Sequence, residues 1–174
     1  VTNHPTAFPK HNSHSFCQTL ETIYAYLYEL LSNLNGVIQS PKYHPERDTL
    51  YHSLQVFGYA MRETQDPTLL AAALFHDVGK GIDYPNHDKA GAQAFYGVLN
   101  NDICWLIEHH LDLLNNPTKT RRQLKGTSQL ANLEKLRRWD LAGRKVGVEV
   151  MSVQTALNIL HPHSHKILDH SLCN

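Results

Sequence analysis

Leu69-Leu-Ala-Ala-Ala-Leu-Phe-His-Asp-Val-Gly-Lys-Gly81 is the stretch that decides how the rest of the chain is read. Leu69 to Phe75 is an unbroken apolar run with no polar face, and a helix built that way belongs in the middle of a fold. Asp66-Pro67 marks its start, with a capping carboxylate before a proline at the first helical position. Gly79 and Gly81 mark its end, giving a helix from Thr68 to about Val78. The run closes on His76-Asp77. An ionised Asp77 buried there alone is costly, and the C-terminal end of a helix dipole disfavours negative charge. Something positive must offset it. Lys80 is one candidate; a metal ion held by Asp77 and neighbouring imidazoles is the other.

Outward from this run the apolar spacing is helical almost everywhere. Phe16, Leu20, Ile23, Leu27, Leu30, Leu31 and Leu34 form one stripe that Gly36 ends. A helix over about residues 46–63 puts Leu50, Leu54, Phe57 and Met61 on one face, and His52, Val56 and Tyr59 on another. Gly91, Ala94, Phe95 and Val98 share a face. So do Ile103, Leu106, Ile107, Leu113 and Leu114 in a helix that starts near Asn101. Thr127 or Ser128 caps a helix carrying Leu130, Leu133, Leu136 and Leu141, and a last helix spans about residues 149–160. Residues 115–126, polar and basic with Pro117, are expected to form a loop. His161, His163, His165 and His170 fall in a Pro-containing tail expected to be a surface segment. No strand pair is evident. The expected fold class is all-α, a bundle of about six to eight helices with a buried metal site. We expect a single domain over residues 1–174, with its motif-bearing core at about 43–145. Residues 1–42 would be an N-terminal helical extension, and residues 146–174 a C-terminal helix and His-rich tail.

Composition narrows the function. In 174 residues, 41% hydrophobic and 18% charged argue against disorder. Sixteen basic and sixteen acidic residues give no net charge, which disfavours strong general nucleic-acid binding. Cys17, Cys104 and Cys173 are odd in number and unclustered, as expected of free thiols in a reducing compartment rather than a Cys-type zinc site. No apolar run reaches the ~18 residues of a membrane span and no signal-peptide pattern opens the chain. A cytoplasmic protein with no membrane partner is therefore expected; no signal specifies an oligomeric state.

The unusual count is 13 histidines. Histidine is the commonest metal ligand and the proton carrier of neutral pH. Helical phase sorts them. His110 lies four residues after Leu106 and seven after Ile103, on the apolar stripe, whereas His109 is turned about 100° away. His87 lies four before Gly91 on an inner face, His52 shares a face with Val56 and Tyr59, and Asp140 lies four after Leu136. Four histidines and two aspartates thus face one core, and no inward-facing Arg or Lys is evident beside the carboxylates. Nitrogen and oxygen donors without thiolate suit Mn, Fe, Co, Ni, Zn or Mg.

The order His52, His76-Asp77, Asp140 resembles the HD-domain superfamily of metal-dependent phosphohydrolases. The wider runs are Leu74-Phe-His-Asp-Val-Gly-Lys-Gly81, Pro85, His87, Ala90-Gly91, Glu108-His-His110 and Asp140-Leu-Ala-Gly-Arg144. They resemble the HD domain at the C-terminal end of bacterial CCA-adding tRNA nucleotidyltransferases. His44-Pro-Glu-Arg-Asp48 is similar to that group's His-Pro-Glu-Gly-Asp run, with Arg47 in place of the glycine. No strand-rich nucleotidyltransferase head is read ahead of the helices, so CCA addition is not implied. The resemblance implies His52, His76, Asp77 and Asp140 as ligands of a first divalent ion. His87 and His110 would complete a second site bridged by Asp77, or, with one ion, bind phosphate or move protons. Lys80 would act beside Asp77 as a catalytic group on a phosphate oxygen, and Arg144 would touch substrate or hydrogen-bond a ligand. The substrate implied is a phosphorylated small molecule: a phosphate mono- or diester of a nucleotide or RNA end, a 2′,3′-cyclic phosphate included. A catalytically silent HD module that binds nucleotide and metal as a sensor is the alternative. The basic run Lys119-Thr-Arg-Arg122 would recruit an anionic substrate or simply be solvated. Gly79-Lys80-Gly81 lacks the spacing of a P-loop.

Overall fold

The computed structural model describes residues 15–173, and at its centre lies the apolar run. Helix α3 (Pro67–Phe75) is buried along its whole length, with Leu69 to Phe75 at 5% exposure or less. Asp66 caps it by accepting a hydrogen bond from Thr68 N at 2.9 Å, and Pro67 occupies the first turn. Around α3 pack α2 (Thr49–Glu63), α5 (Asn101–His109), α8 (Ser128–Ala142) and α9 (Val153–Leu160). Helix α1 (Ser15–Ser32) lies against α9, and α4 (His87–Phe95) against α5. The single turn α6 (Asp112–Asn115), α7 (Pro117–Gln123) and the single turn α10 (Ser164–Ile167) complete the order. Eight of these helices have seven residues or more. Among the described residues there is no strand, only three isolated bridges, and no helix long and apolar enough to cross a membrane. One apolar core joins Ile23 on α1 to Leu168 in the tail.

Several boundaries differ from the sequence expectation, each for a local reason. Helix α2 starts at Thr49 rather than Glu46, because Arg47 is left-handed (φ 64°) and residues 44–48 fold into a tight turn. Helix α3 stops at Phe75, and the chain tightens into a 3-10 turn at Val78–Gly81. The expected loop at 115–126 contains α7: Pro117 sits in its first turn, where proline is favourable, and buried Thr120 bonds Asp112 O and Asn116 O. Leu114 is half-exposed because the helix breaks after His110 and the stripe loses its phase. Helix α9 begins at Val153 behind a Ser152 cap, three to four residues later than expected. Met61 and Leu141 point outward, and Phe16 falls where side chains are not described. The tail is not merely a surface strap. Ile167 and Leu168 are buried, and Asn100 N donates to Ile167 O at 2.8 Å, while His161, His165 and His170 are exposed.

What brings the functional segments together is a close backbone approach. The turn after His76-Asp77 lies directly against the start of α4, so a Cβ added at Gly79 would fall 1.9 Å from His87 O and 2.6 Å from Gly91 N. Both are main-chain atoms that cannot swing aside. Gly79→Ala is therefore expected to destabilise the fold by about 3 kcal/mol or more, at the upper end of overpacking effects, in urea unfolding.

Candidate metal centre

Five segments deliver six side chains to one buried point. His52 comes from the second turn of α2, whose Asp48 cap accepts from Tyr51 N at 2.8 Å. His76 and Asp77 follow the end of α3, His87 opens α4, His110 closes α5, and Asp140 lies in the last turn of α8. His52, His76, Asp77, His110 and Asp140 are all under a tenth exposed.

The histidines are held alike. His76 Nδ1 lies 2.9 Å from Ala73 O, His87 Nδ1 3.0 Å from Tyr84 O, and His110 Nδ1 2.6 Å from Ile107 O, in each case the carbonyl three residues back. His52 Nδ1 lies 3.1 Å from Gly143 O. A carbonyl oxygen can only accept, so each Nδ1 carries the hydrogen, and in the neutral ring Nε2 is a bare lone pair. All four Nε2 atoms are buried with no hydrogen-bond partner. A buried Nε2 lone pair without a partner is costly unless a proton, a donor or a cation meets it.

The carboxylates sit between them. Asp77 Oδ2 lies 3.5 Å from His76 Nε2 and 3.8 Å from His52 Nε2, and its Oδ1 lies 3.4 Å from His87 Nε2 and 3.7 Å from His110 Nε2. Asp140 Oδ1 is 3.2 Å from His52 Nε2. Ligand atoms of His52, His76 and Asp140 lie within 4.8 Å of one another, and so do those of Asp77, His87 and His110. Two trios of nitrogen and oxygen donors, one carboxylate reaching both, fit divalent first-row ions or Mg.

One step of the sequence argument fails. The carboxylates do have cationic partners: Lys80 Nζ is 2.7 Å from Asp77 Oδ2, Arg137 Nη1 2.7 Å from Asp140 Oδ2, and Arg144 Nη2 3.0 Å from both Asp140 oxygens. Long cationic side chains three or four residues before or after a carboxylate reach along the chain to it, which counting inward-facing positions misses. Charge neutrality therefore does not call for an ion; the unpartnered imidazole nitrogens are the groups that could hold one. Arg144 holds Asp140, and its Nη1 also donates to Tyr43 O at 3.2 Å. Lys80 donates as well to Gln39 Oε1 at 2.6 Å.

Electrostatics follow from this packing. Burial opposes the charge on Asp77, but Lys80 and then His76 hold its carboxyl well below the usual range. Burial likewise opposes charge on Asp140, yet His52, His76 and Arg144 keep it far below. Burial drives His76 down to about 3, so it presents a neutral ring. Burial also lowers His87, against the pull of Asp77. Burial works against protonation of His52 too, but Asp140, Glu46 and Asp77 outweigh it and raise it to about 9. A divalent ion would displace that proton.

His109, the neighbour of His110, is outside the centre. Its ring stacks on Trp105 at 4.4 Å between centroids, and its Nδ1 bonds Asp112 at 2.8 Å. Sequence reasoning passed over Arg137, Gln39 and buried Glu46, whose Oε1 lies 2.9 Å from His52 Nδ1. The signal for Glu46 was present in the His44-Pro-Glu-Arg-Asp48 run, where an acid precedes the helix of the candidate ligand His52.

Residues 49–153 match the sequence pattern of the HD domain family. The chain belongs to the HD-domain family. HD domains form a superfamily of metal-dependent phosphohydrolases and bind divalent metals, and this HD domain has buried histidine and carboxylate groups that could hold one. It is 46% identical over 85 residues to the Multifunctional CCA protein of Methylococcus capsulatus, covering 45% of this chain and 19% of that protein. Against the Multifunctional CCA protein of Thioalkalivibrio sulfidiphilus it is 51% identical over 57 residues, 33% of this chain and 14% of that protein. The chain spans less than a fifth of the length of these relatives.

The facing of two adjacent histidines gives a sharp check on this HD domain. His110→Ala is expected to weaken Mn²⁺ or Co²⁺ binding at least about tenfold in calorimetric titration, while His109→Ala leaves it within about twofold.

Proposed function

We propose that this chain is a metal-dependent phosphohydrolase cleaving a phosphate mono- or diester of a nucleotide or an RNA end, with 2′,3′-cyclic phosphates the first substrates to test. The observation that carries this reading is the Asp77 carboxylate, with one oxygen toward His52 and His76 and the other toward His87 and His110. Its likeness to proteins named Multifunctional CCA protein, and its resemblance to CCA-adding tRNA nucleotidyltransferases, favour an RNA end as substrate.

In this reading His52, His76, Asp77 and Asp140 hold a first ion, and His87 and His110 join Asp77 around a second. A bound divalent ion supplies a lowered pKa for water and neutralises phosphoryl charge. The chain's own groups orient the rest. Lys80 keeps its ammonium inside, its side chain only 7% exposed, beside the Asp77 oxygen that faces His52 and His76, and binds a non-bridging phosphate oxygen. Arg144 and Arg137 fix Asp140 from two sides, so that its free lone pairs aim at His52. With one ion bound, His87 and His110 face the substrate; once Nε2 has taken up a proton from water, either ring binds a phosphate oxygen or passes that proton to the leaving oxygen.

A catalytically silent sensor is the second reading. Its support is that Lys80, Arg137 and Arg144 already balance the two carboxylates without a substrate. Metal analysis of untagged protein, joined to hydrolysis of aryl phosphate mono- and diesters and nucleoside 2′,3′-cyclic phosphates with Mn²⁺, Ni²⁺, Co²⁺ or Mg²⁺, separates the two. Turnover that Asp77→Ala abolishes together with bound metal is the result expected. Metal and nucleotide binding without turnover would establish the sensor instead.

A further inference from the structure

Glu46 is a buried acid that belongs to neither trio around Asp77. Its side chain has no exposed surface, yet it precedes α2 in a turn rather than lying on a helix. A single oxygen, Oε1, lies 2.8 Å from His44 Nδ1 and 2.9 Å from His52 Nδ1. The other, Oε2, is buried with no hydrogen-bond partner. The His44 and His52 rings meet edge to face, with centroids 4.9 Å apart.

The backbone bends to achieve this. Arg47 takes a left-handed conformation, at a cost of about 1–2 kcal/mol for a residue with a Cβ. Asp48 N donates to Glu46 O at 2.8 Å, and Gln39 N donates to Arg47 O at 2.8 Å. That turn points Glu46 inward beneath α2, while Asp48, two residues on, caps the helix that carries His52.

His44, Glu46 and His52 are also spaced closely enough to hold an ion of their own. The hydrogen bonding of His52 argues otherwise. Its Nδ1 is 3.1 Å from Gly143 O as well as 2.9 Å from Glu46, and the carbonyl requires a hydrogen on that nitrogen. A protonated Nδ1 is no ligand. Glu46 therefore acts on His52 from behind.

We propose that Glu46 is a positioning residue for His52 as a metal ligand: its Oε1, 2.9 Å from Nδ1, shares the Nδ1 hydrogen with Gly143 O, with His44 bracing the same oxygen, and so fixes the ring and presents Nε2 to the ion. A carboxylate behind a ligand imidazole locks its tautomer and raises its basicity, and removing such a partner typically costs about 10–100-fold in metal affinity. Gly143 O supplies direction but no charge. The inference rests on His52 being a ligand and not on hydrolysis.

The test uses the full chain freed of metal, with Mn²⁺ and Co²⁺ as probes in calorimetric titration and imidazole ¹⁵N shifts of His52 recorded without metal. Thermal melting of each variant confirms that it is folded. Glu46→Ala is expected to lose about 10–100-fold in metal affinity and to shift the His52 nitrogens. Glu46→Gln, whose amide oxygen still accepts the hydrogen but carries no charge, recovers part of that affinity. Where Glu46→Ala does not fold, Glu46→Asp decides: drawing the oxygen back by one methylene costs at least about tenfold in affinity if Glu46 positions the ring. Affinity within threefold of the native chain in Glu46→Ala or Glu46→Asp, or unmoved His52 nitrogens, overturns the proposal. A native chain that binds metal but hydrolyses nothing refutes the phosphohydrolase reading and leaves this inference standing. Absence of metal binding by the native chain refutes both.

Discussion

Three of the four inward histidines give their Nδ1 hydrogen to the carbonyl three residues behind, and His52 gives its own toward Gly143 O and Glu46. The hydrogen on each Nδ1 is thereby used up on the protein, and each Nε2 is left buried without a hydrogen-bond partner. Side-chain rotation cannot relieve this, since turning a ring would strand a hydrogen-bonded Nδ1 and a buried carbonyl together. The arrangement makes sense as a preformed ligand set, in which backbone geometry at the ends of α3 and α5 and the start of α4 does the orienting.

The fold serves that set at two close approaches. Gly79 lets the turn after His76-Asp77 lie on the backbone of α4, which brings His87 to Asp77. Gly143, where a Cβ would fall 2.6 Å from Val56 Cγ2, lets the end of α8 lie on α2, which brings Asp140 to His52. The first pairing spans ten residues, but the second joins residues 88 apart and depends on the buried helix α3 holding α2 and α8 against it. The cations Lys80, Arg137 and Arg144 then let two carboxylates remain ionised in the interior before any ion arrives.

Much of this was legible in helical phase. A run apolar on every side announced α3, and Asp66-Pro67 announced where it begins. The four-residue step from Leu106 put His110 inside and His109 outside, and the step from Leu136 turned Asp140 inward. What phase could not give is anything that depends on reach or on a break. The arginines reach Asp140 from a turn before it and a turn after it, so their Cβ directions mislead. The break after His110 resets the stripe and strands Leu114 at the surface, and Pro117, read as a loop former, instead starts α7. Glu46 sits in a turn, where no periodicity operates, and only the left-handed Arg47 directs it inward.

The central claim is that these imidazoles and carboxylates share an inorganic ion. Anomalous diffraction at the Mn absorption edge, from crystals of untagged protein grown with Mn²⁺, tests it most directly. The account predicts a peak about 2.0–2.3 Å from His52 Nε2, His76 Nε2 and the Asp77 and Asp140 carboxylates, at ordinary ligand distances. Ordered Mn²⁺ only elsewhere on the molecule, with the four Nε2 atoms left as they stand, would contradict it.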